Sequence, residues 1–328
     1  MKIGILGAGS LGSVFGGVLA EGGHEVTLFT RSEEYREAVD AGQLFFTEDP
    51  GGKSGRRIRV RTAGDVGQLS GSELLLVMVK STATREVAKK AVQAGVIGPE
   101  TVVLTLQNGL GNEEILGEIV GADRVIAGRT YVSGRLLGPG RVMAAVKGCR
   151  TIIGELDGRV TERIRRIGRE FGRVGLTTEI SSDIRGVIWD KLLVNVATGA
   201  VSGITGLDYG RMYEKYGKGA LPELKAVACA AVAEAIAIAG AYGIRLSIHD
   251  PELAWDLAAK DQPETFRTSL LQSLERGQKT EIDVINGAVV RWGQEAGVPT
   301  PVNDTLSALV RGIEFRLGAE GEGEKMVR

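Results

Sequence analysis

Residues 1–12 read MKIGILGAGSLG, an apolar run over Lys2–Leu6 followed at once by Gly7-Ala8-Gly9-Ser10-Leu11-Gly12. The run has the length of a buried strand, and helical spacing follows it up to Gly22-Gly23, a natural helix stop. Each glycine of the motif has its own use. Gly7 permits a tight turn, Gly9 lets backbone approach a pyrophosphate, and Gly12 lets the helix pack on the strand. The helix N-terminus offers unbonded amides and partial positive charge to the phosphates. A lone G-x-G-x-x-G is weak evidence, but one that follows a strand and opens a helix has the confirming context for dinucleotide binding. Gly7, Ala8, Gly9, Ser10, Leu11 and Gly12 are therefore the expected cofactor loop.

Working outward, the next strand, Val26–Phe29, should end at the adenosine ribose and runs into Thr30-Arg31-Ser32. An NAD site places an acid there, whereas a guanidinium matches a 2′-phosphate, so NADP (NADPH) is expected over NAD despite Glu33 and Glu34. Leu74–Val79 ends in Lys80-Ser81-Thr82, and Thr101–Leu106 ends in Gln107-Asn108-Gly109. Both ends belong at the carboxyl edge of a parallel sheet, where such sheets bind ligands. Gly51–Arg61 contains Gly-Lys-Ser, but Thr47 stands where a phosphate-binding loop needs glycine. Its arginines alternate with Ile58 and Val60, which reads as one strand with a solvated face. A strand at Val125–Gly128, a hairpin of Thr130–Leu136 and Arg141–Val146, then Thr151–Gly154, a helix over Val160–Gly172 and Leu176–Ile180 complete the first domain. The expected fold is an α/β Rossmann-type dinucleotide-binding domain over residues 1–182, followed by an all-α domain over 183–328.

The second domain opens with DIRGVIWDKLLVNVATG at 183–199, whose apolar residues recur at helical spacing. Lys191 lies in its apolar middle, and Asn195 stacks one turn later on the same face. A lysine among apolar neighbours loses solvation, which lowers its pKa and makes it a usable proton donor. The plain alternative is a lysine that reaches solvent or pairs with Asp190 or Glu281. Leu221–Tyr242, Pro251–Lys260 and Glu281–Ala296 are the other clear helices, and the tail GAEGEGEKMVR reads as frayed.

With 25% charged residues and a net charge of −1, the chain implies neither a nucleic-acid nor a membrane-surface partner. Cys149 and Cys229 have no metal or redox spacing, so no metal is expected and a reduced, cytoplasmic setting is. The start runs directly into the first strand without a charged leader. Leu221–Gly240 alone raises a membrane question, but Glu223, Lys225 and Glu234 interrupt it, so it reads as a buried helix.

Taken together, GAGSLG at 7–12, Arg31, VMVKS with Lys80, LQNGLGNEE with Asn108, IRGVIWDKLLVN with Lys191 and Asn195, and TSLLQSLERGQKTEIDVING with Ser269 and Glu281 resemble the ketopantoate reductase (2-dehydropantoate 2-reductase) family. The likeness spans nearly the whole chain. It implies NADPH-dependent reduction of a small 2-oxo acid, 2-dehydropantoate, to D-pantoate. It also implies that Lys191 protonates the carbonyl oxygen and that Glu281 sits near the nicotinamide end and the substrate hydroxyl. By the same likeness Asn108 meets cofactor and substrate, Asn195 and Ser269 hold the substrate, Arg31 and Lys80 favour the extra phosphate, and Gly134 contacts the cofactor. Lys191 and Glu281 are expected to meet across a cleft between the domains. Thr280-Glu281-Ile282-Asp283 also reads as a capping box, which would make Glu281 a mere first-turn charge.

One departure stands out. Many relatives carry a second asparagine on the lysine helix, where this chain has Gly199. Thr198, Ser202 or Thr205 is expected to supply the lost hydrogen bond; otherwise the substrate is a different 2-oxo acid. A non-catalytic NADPH-binding regulator is the competing class, and it would need neither Lys191 nor Glu281. A homodimer is the oligomeric state to test.

Overall fold

The computed structural model describes residues 1–49, 51–217 and 220–326, with side chains to residue 318. It separates into two compact units, residues 1–107 with 111–184, and residues 108–110 with 185–328.

In the first unit the chain runs β1 (Lys2–Leu6), α1 (Ser10–Glu21), β2 (Glu25–Phe29), α2 (Glu33–Gly42), β3 (Leu44–Thr47), β4 (Arg56–Ile58), β5 (Arg61–Ala63) and β6 (Leu74–Val77). It continues through α3 (Thr84–Gln93), β7 (Val102–Thr105), α4 (Asn112–Val120), β8 (Val125–Thr130), β9 (Ser133–Gly138), β10 (Arg141–Ala145), β11 (Thr151–Glu155), α5 (Glu162–Arg173) and β12 (Thr178–Ile180). The main sheet has the order β12-β11-β8-β7-β6-β1-β2-β5 and is parallel except where β11 meets β8. Its central strands are apolar on both faces because both are covered. Leu74 and Leu76 face a core with Phe15 of α1 and Phe171 of α5, while Leu75 and Val77 face Val87 of α3 and Leu116 of α4. The strand order reverses between β1 and β6, and a doubly wound sheet binds ligands at the carboxyl end of that junction.

A second sheet, β4-β3-β10-β9, was not legible as such. The single strand expected over Gly51–Arg61 is two. Arg56–Ile58 pairs with β3, and Arg61–Ala63 pairs with β2, so the chain changes sheets at Arg59-Val60. Arg56 and Arg61 are tied to Glu21 and Glu25 respectively, and Ile58 is buried. The hairpin divides likewise: Thr130 ends β8 in the main sheet, and Ser133 starts β9 in the small one.

The second unit is helical: α6 (Ile184–Thr205), α7 (Tyr209–Met212), α8 (Pro222–Ala241), α9 (Pro251–Ala259), α10 (Ser269–Glu275), α11 (Asn286–Ala296) and α12 (Pro301–Met326). Its core joins Leu192, Leu193, Val196 and Ala200 of α6 to Ala231, Val232 and Ile238 of α8, Val289 of α11 and Val310 of α12. By length and composition α6 and α8 could each cross a membrane, one helix more than the sequence reading singled out. Glu234, which interrupts the apolar run of α8, accepts from the amides of Val302 and Asn303 and so caps α12. The segment expected as one helix over Glu281–Ala296 is a short 3-10 turn, Ile282–Val284, and then α11. The tail expected to fray continues α12 to Met326, since extending a formed helix needs no new nucleus.

Gly12 is the tightest point of the first βα turn, because a Cβ there would collide with the carbonyl oxygen of Gly7. Gly12→Ala should cost about 1–3 kcal/mol of stability, as overpacking does, read as a lower urea midpoint. An unchanged midpoint would show that the turn opens freely.

Candidate active site

The glycine loop is built by backbone. Gly7 has φ +111°, and a Cβ there would lie 2.8 Å from the amide nitrogen of Val79. The amides of Gly7 and Ala8 both donate to the carbonyl of Phe29, at 3.1 Å, which fixes the turn against the end of β2. A Cβ at Gly9 would meet nothing within 4 Å. No side chain caps α1, so the first-turn amides of Ser10, Leu11 and Gly12 remain for an anion. This cradle fits a dinucleotide's phosphates. Sequence reasoning missed the brace beneath it: the buried Ser13 hydroxyl bonds the Ala8 carbonyl at 3.2 Å and the Tyr35 hydroxyl at 2.7 Å. Gly134 of β9 lies against the loop, where a Cβ would be 2.6 Å from Val14 and 3.2 Å from the carbonyl oxygen of Ser10. Close packing is thus one reason for glycine at that position.

Arg31 follows β2 with 74% of its side chain exposed and only a loose 3.9 Å pair to Glu86. Glu86 pairs more closely with Lys90, at 2.7 Å, and these cations hold its carboxyl below the usual range. An exposed pair of that length is worth little, so Arg31 can turn to a phosphate. Lys80 is exposed just beyond β6. A polar brace ties the neighbouring strand ends. Gln107 donates to the Val79 carbonyl at 2.7 Å and to Thr84 at 2.8 Å, and Asn112 accepts from Thr84 and donates to Ser81.

The remaining candidates, Asn108, Lys191, Asn195, Ser269 and Glu281, all belong to the helical unit. Lys191 and Glu281 lie in this one unit, together with Asn108, which the expected boundary put in the first domain. On α6, Val187, Ile188, Lys191, Val194 and Asn195 form one half-buried stripe, while Leu192, Leu193 and Val196 point into the core. Asp190, the partner proposed for Lys191 in the plain reading, has its carboxylate engaged by the Ser247 amide and hydroxyl and the Ile248 amide. Asn195 has no side-chain hydrogen-bond partner among the described residues, and neither does exposed Ser269, the first residue of α10. Thr268 before it caps α10 by accepting from Leu271.

Asn108 and Glu281 are brought together by backbone. The amide of Leu110 donates to the carbonyl of Val284 at 2.9 Å, laying the 108–110 segment on the 3-10 turn that follows Glu281. Gly109 has φ +84°, and a Cβ there would sit 2.5 Å from that same carbonyl oxygen. Only glycine fits on both counts. The amide of Asn108 then reaches the Glu281 carboxylate at 3.5 Å, the long end of hydrogen bonding. The capping box is not formed as expected: Thr280 accepts from the amide of Ile282, while Asp283 pairs with Arg311.

Farther along α6 the structure corrects the expected compensation for Gly199. The Thr198 hydroxyl donates to the Val194 carbonyl and accepts from Tyr209, Ser202 donates to the Leu207 carbonyl, and Thr205 donates to the Val201 carbonyl. All three hydroxyl hydrogens go to backbone carbonyls of the same unit, which leaves these groups only as acceptors. Burial pushes the Tyr209 hydroxyl up to about 12, so at neutral pH it stays protonated and donates to Thr198.

A family model described as "Ketopantoate reductase PanE/ApbA" matches residues 3–158, and one described as "Ketopantoate reductase PanE/ApbA C terminal" matches residues 183–314. The 2-dehydropantoate 2-reductase of Halobacterium salinarum is 33% identical over 311 residues, covering 95% of this chain and 98% of its own. Among solved structures, a PanE/ApbA family ketopantoate reductase from Ralstonia eutropha is 33% identical with a TM-score of 0.84, covering 97% of this chain and 100% of its own. D-mandelate dehydrogenase in complex with NADH is 25% identical at the same TM-score, 0.84, with 97% and 100% covered.

Gly109→Ala tests the backbone clip. It should displace Asn108 and lower kcat about a hundredfold, as a misplacement of roughly 1 Å does, with the circular dichroism spectrum preserved. A near-normal kcat would mean that the clip does not position the site.

Proposed function

This chain belongs to the ketopantoate reductase family of NAD(P)-dependent oxidoreductases, and we propose that it reduces a small 2-oxo acid to the 2-hydroxy acid with NADPH, in the cytoplasm. Ketopantoate, reduced to pantoate, is the reference substrate. The observation that carries the reading is the set of polar groups on one unit: Lys191 and Asn195 on a half-buried stripe of α6, and Asn108 hydrogen-bonded to Glu281. The Gly7–Gly12 loop, Arg31 and Lys80 would hold the cofactor, with Gly134, Asn108 and Glu281 as further contacts. NADPH, when bound, supplies the hydride that the carbonyl carbon gains.

As charge develops on the carbonyl oxygen, the ammonium of Lys191 stabilises it and gives up a proton to it. Asn195 and Ser269, whose side chains are unpartnered among the described residues, orient the carboxylate. Asn108 holds Glu281, which fixes the orientation of the substrate beside Lys191. A non-catalytic NADPH-binding regulator is disfavoured, because a sensor needs neither Lys191 nor a clip that holds Asn108 on Glu281.

Lys191→Ala should lower kcat by about 10²–10⁴, the range for losing a positioned general acid, with NADPH affinity little changed. Near-normal turnover would make Lys191 a packing residue. Arg31→Asp should narrow or reverse a preference for NADPH over NADH in kcat/KM. An unmodified enzyme that uses NADH as well as NADPH would remove the argument from Arg31.

A further inference from the structure

The buried hydroxyls beneath the glycine loop form a chain with a fixed direction. The Ser13 hydroxyl donates to the Ala8 carbonyl at 3.2 Å and lies 2.7 Å from the Tyr35 hydroxyl. Ser13 has one hydrogen to give, so Tyr35 must donate to Ser13. Both side chains are buried, and burial raises the Tyr35 hydroxyl above its ordinary value, so it keeps its proton at neutral pH. The chain ends on the peptide group that joins Ala8 to Gly9. In a planar trans peptide the carbonyl and the amide point in opposite directions. With the Ala8 carbonyl turned onto Ser13, the Gly9 amide faces the other way, away from the hydroxyl pair. That amide has no hydrogen-bond partner among the described residues, and a Cβ on Gly9 would meet nothing within 4 Å. Tyr35 is also held through its backbone. Its amide donates at 3.1 Å to the hydroxyl of Ser32, the cap of α2 directly after Arg31.

We propose that Tyr35 is a positioning residue for the dinucleotide: through Ser13 it fixes the Ala8–Gly9 peptide so that the Gly9 amide faces the pyrophosphate. The inference rests on cofactor binding by the Gly7–Gly12 loop and names a residue outside that loop on which the binding depends. Ala8 is anchored on both sides, its amide on the Phe29 carbonyl and its carbonyl on Ser13. Only the second anchor sets the Gly9 amide, because the Ala8 amide belongs to the preceding peptide plane. Without the Tyr35 hydroxyl, Ser13 loses its donor and is no longer held on the Ala8 carbonyl. The Gly9 peptide is then not oriented in advance, and ordering it on binding lowers the affinity. One hydrogen bond of ordinary strength corresponds to about three- to tenfold in Kd.

The test measures the Kd for NADPH by calorimetry, without substrate, in the natural protein, Tyr35→Phe, Ser13→Ala and the double variant. Tyr35→Phe should raise Kd about three- to tenfold, and in turnover the loss should appear in KM for NADPH and not in kcat. If Tyr35→Phe does not fold, Ser13→Ala breaks the same chain and should show the same rise. Stability and binding separate in the double variant. Adding Tyr35→Phe to Ser13→Ala removes a hydroxyl left buried without a partner, so the urea midpoint should rise while Kd stays high. A Kd that returns to the natural value along with the midpoint would make the pair a packing element and overturn the inference. An unchanged Kd in folded Tyr35→Phe would overturn it as well, leaving the cofactor reading intact. A natural protein that binds no NADPH would overturn the cofactor reading itself.

Discussion

One backbone hydrogen bond, from the amide of Leu110 to the carbonyl of Val284, sets the arrangement of the candidate site in the helical unit. It works only because residue 109 is glycine, with a left-handed φ and no room for a side chain against the Val284 carbonyl. The bond draws three residues from the middle of the chain into the second unit, so that Asn108 lies with Glu281, its hydrogen-bond partner, rather than with the strand that precedes it. A backbone clip suits this task. Side chains have rotamers to lose, whereas a glycine pressed onto a carbonyl has one arrangement, and catalytic groups need tolerances of about half an ångström.

The first unit relies on close approach in the same way. Gly7 and Gly12 close a turn that leaves α1 without a side-chain cap, and Gly9 faces open space. The amides that a cap would have consumed are left for phosphate. The buried Ser13–Tyr35 pair holds the loop from beneath, and the brace of Gln107, Thr84 and Asn112 holds the adjoining strand ends. Both units therefore hold their candidate polar groups through hydrogen bonds inside the unit.

Much of this was legible in the sequence, for physical reasons. The glycine motif follows a strand and opens a helix, and that context is local. Alternation and apolar runs placed the central strands because a sheet covered on both faces must be apolar on both. The second sheet was hidden because its strands are short and change sheets within two residues, at Arg59-Val60 and at Tyr131-Val132. Alternation alone cannot report which sheet a strand joins. The family resemblance grouped Asn108, Lys191 and Glu281, but the expected boundary set Asn108 apart from the other two, because the Leu110–Val284 bond joins residues far apart in sequence. The fate of Thr198, Ser202 and Thr205 was beyond reach for a related reason. A helical hydroxyl can bond its own backbone or a ligand, and only the fold shows that here it bonds backbone.

The central claim is that Lys191 donates the proton when the carbonyl of a 2-oxo acid is reduced. The most direct measurement is the pH profile of kcat/KM for 2-oxo acid reduction, in the natural protein and in Lys191→Gln. A donor acts only while protonated, so the natural profile should fall as pH rises through the lysine's ionisation, and that limb should vanish in the slower variant. The same falling limb in both proteins would assign the proton to another group and contradict the account.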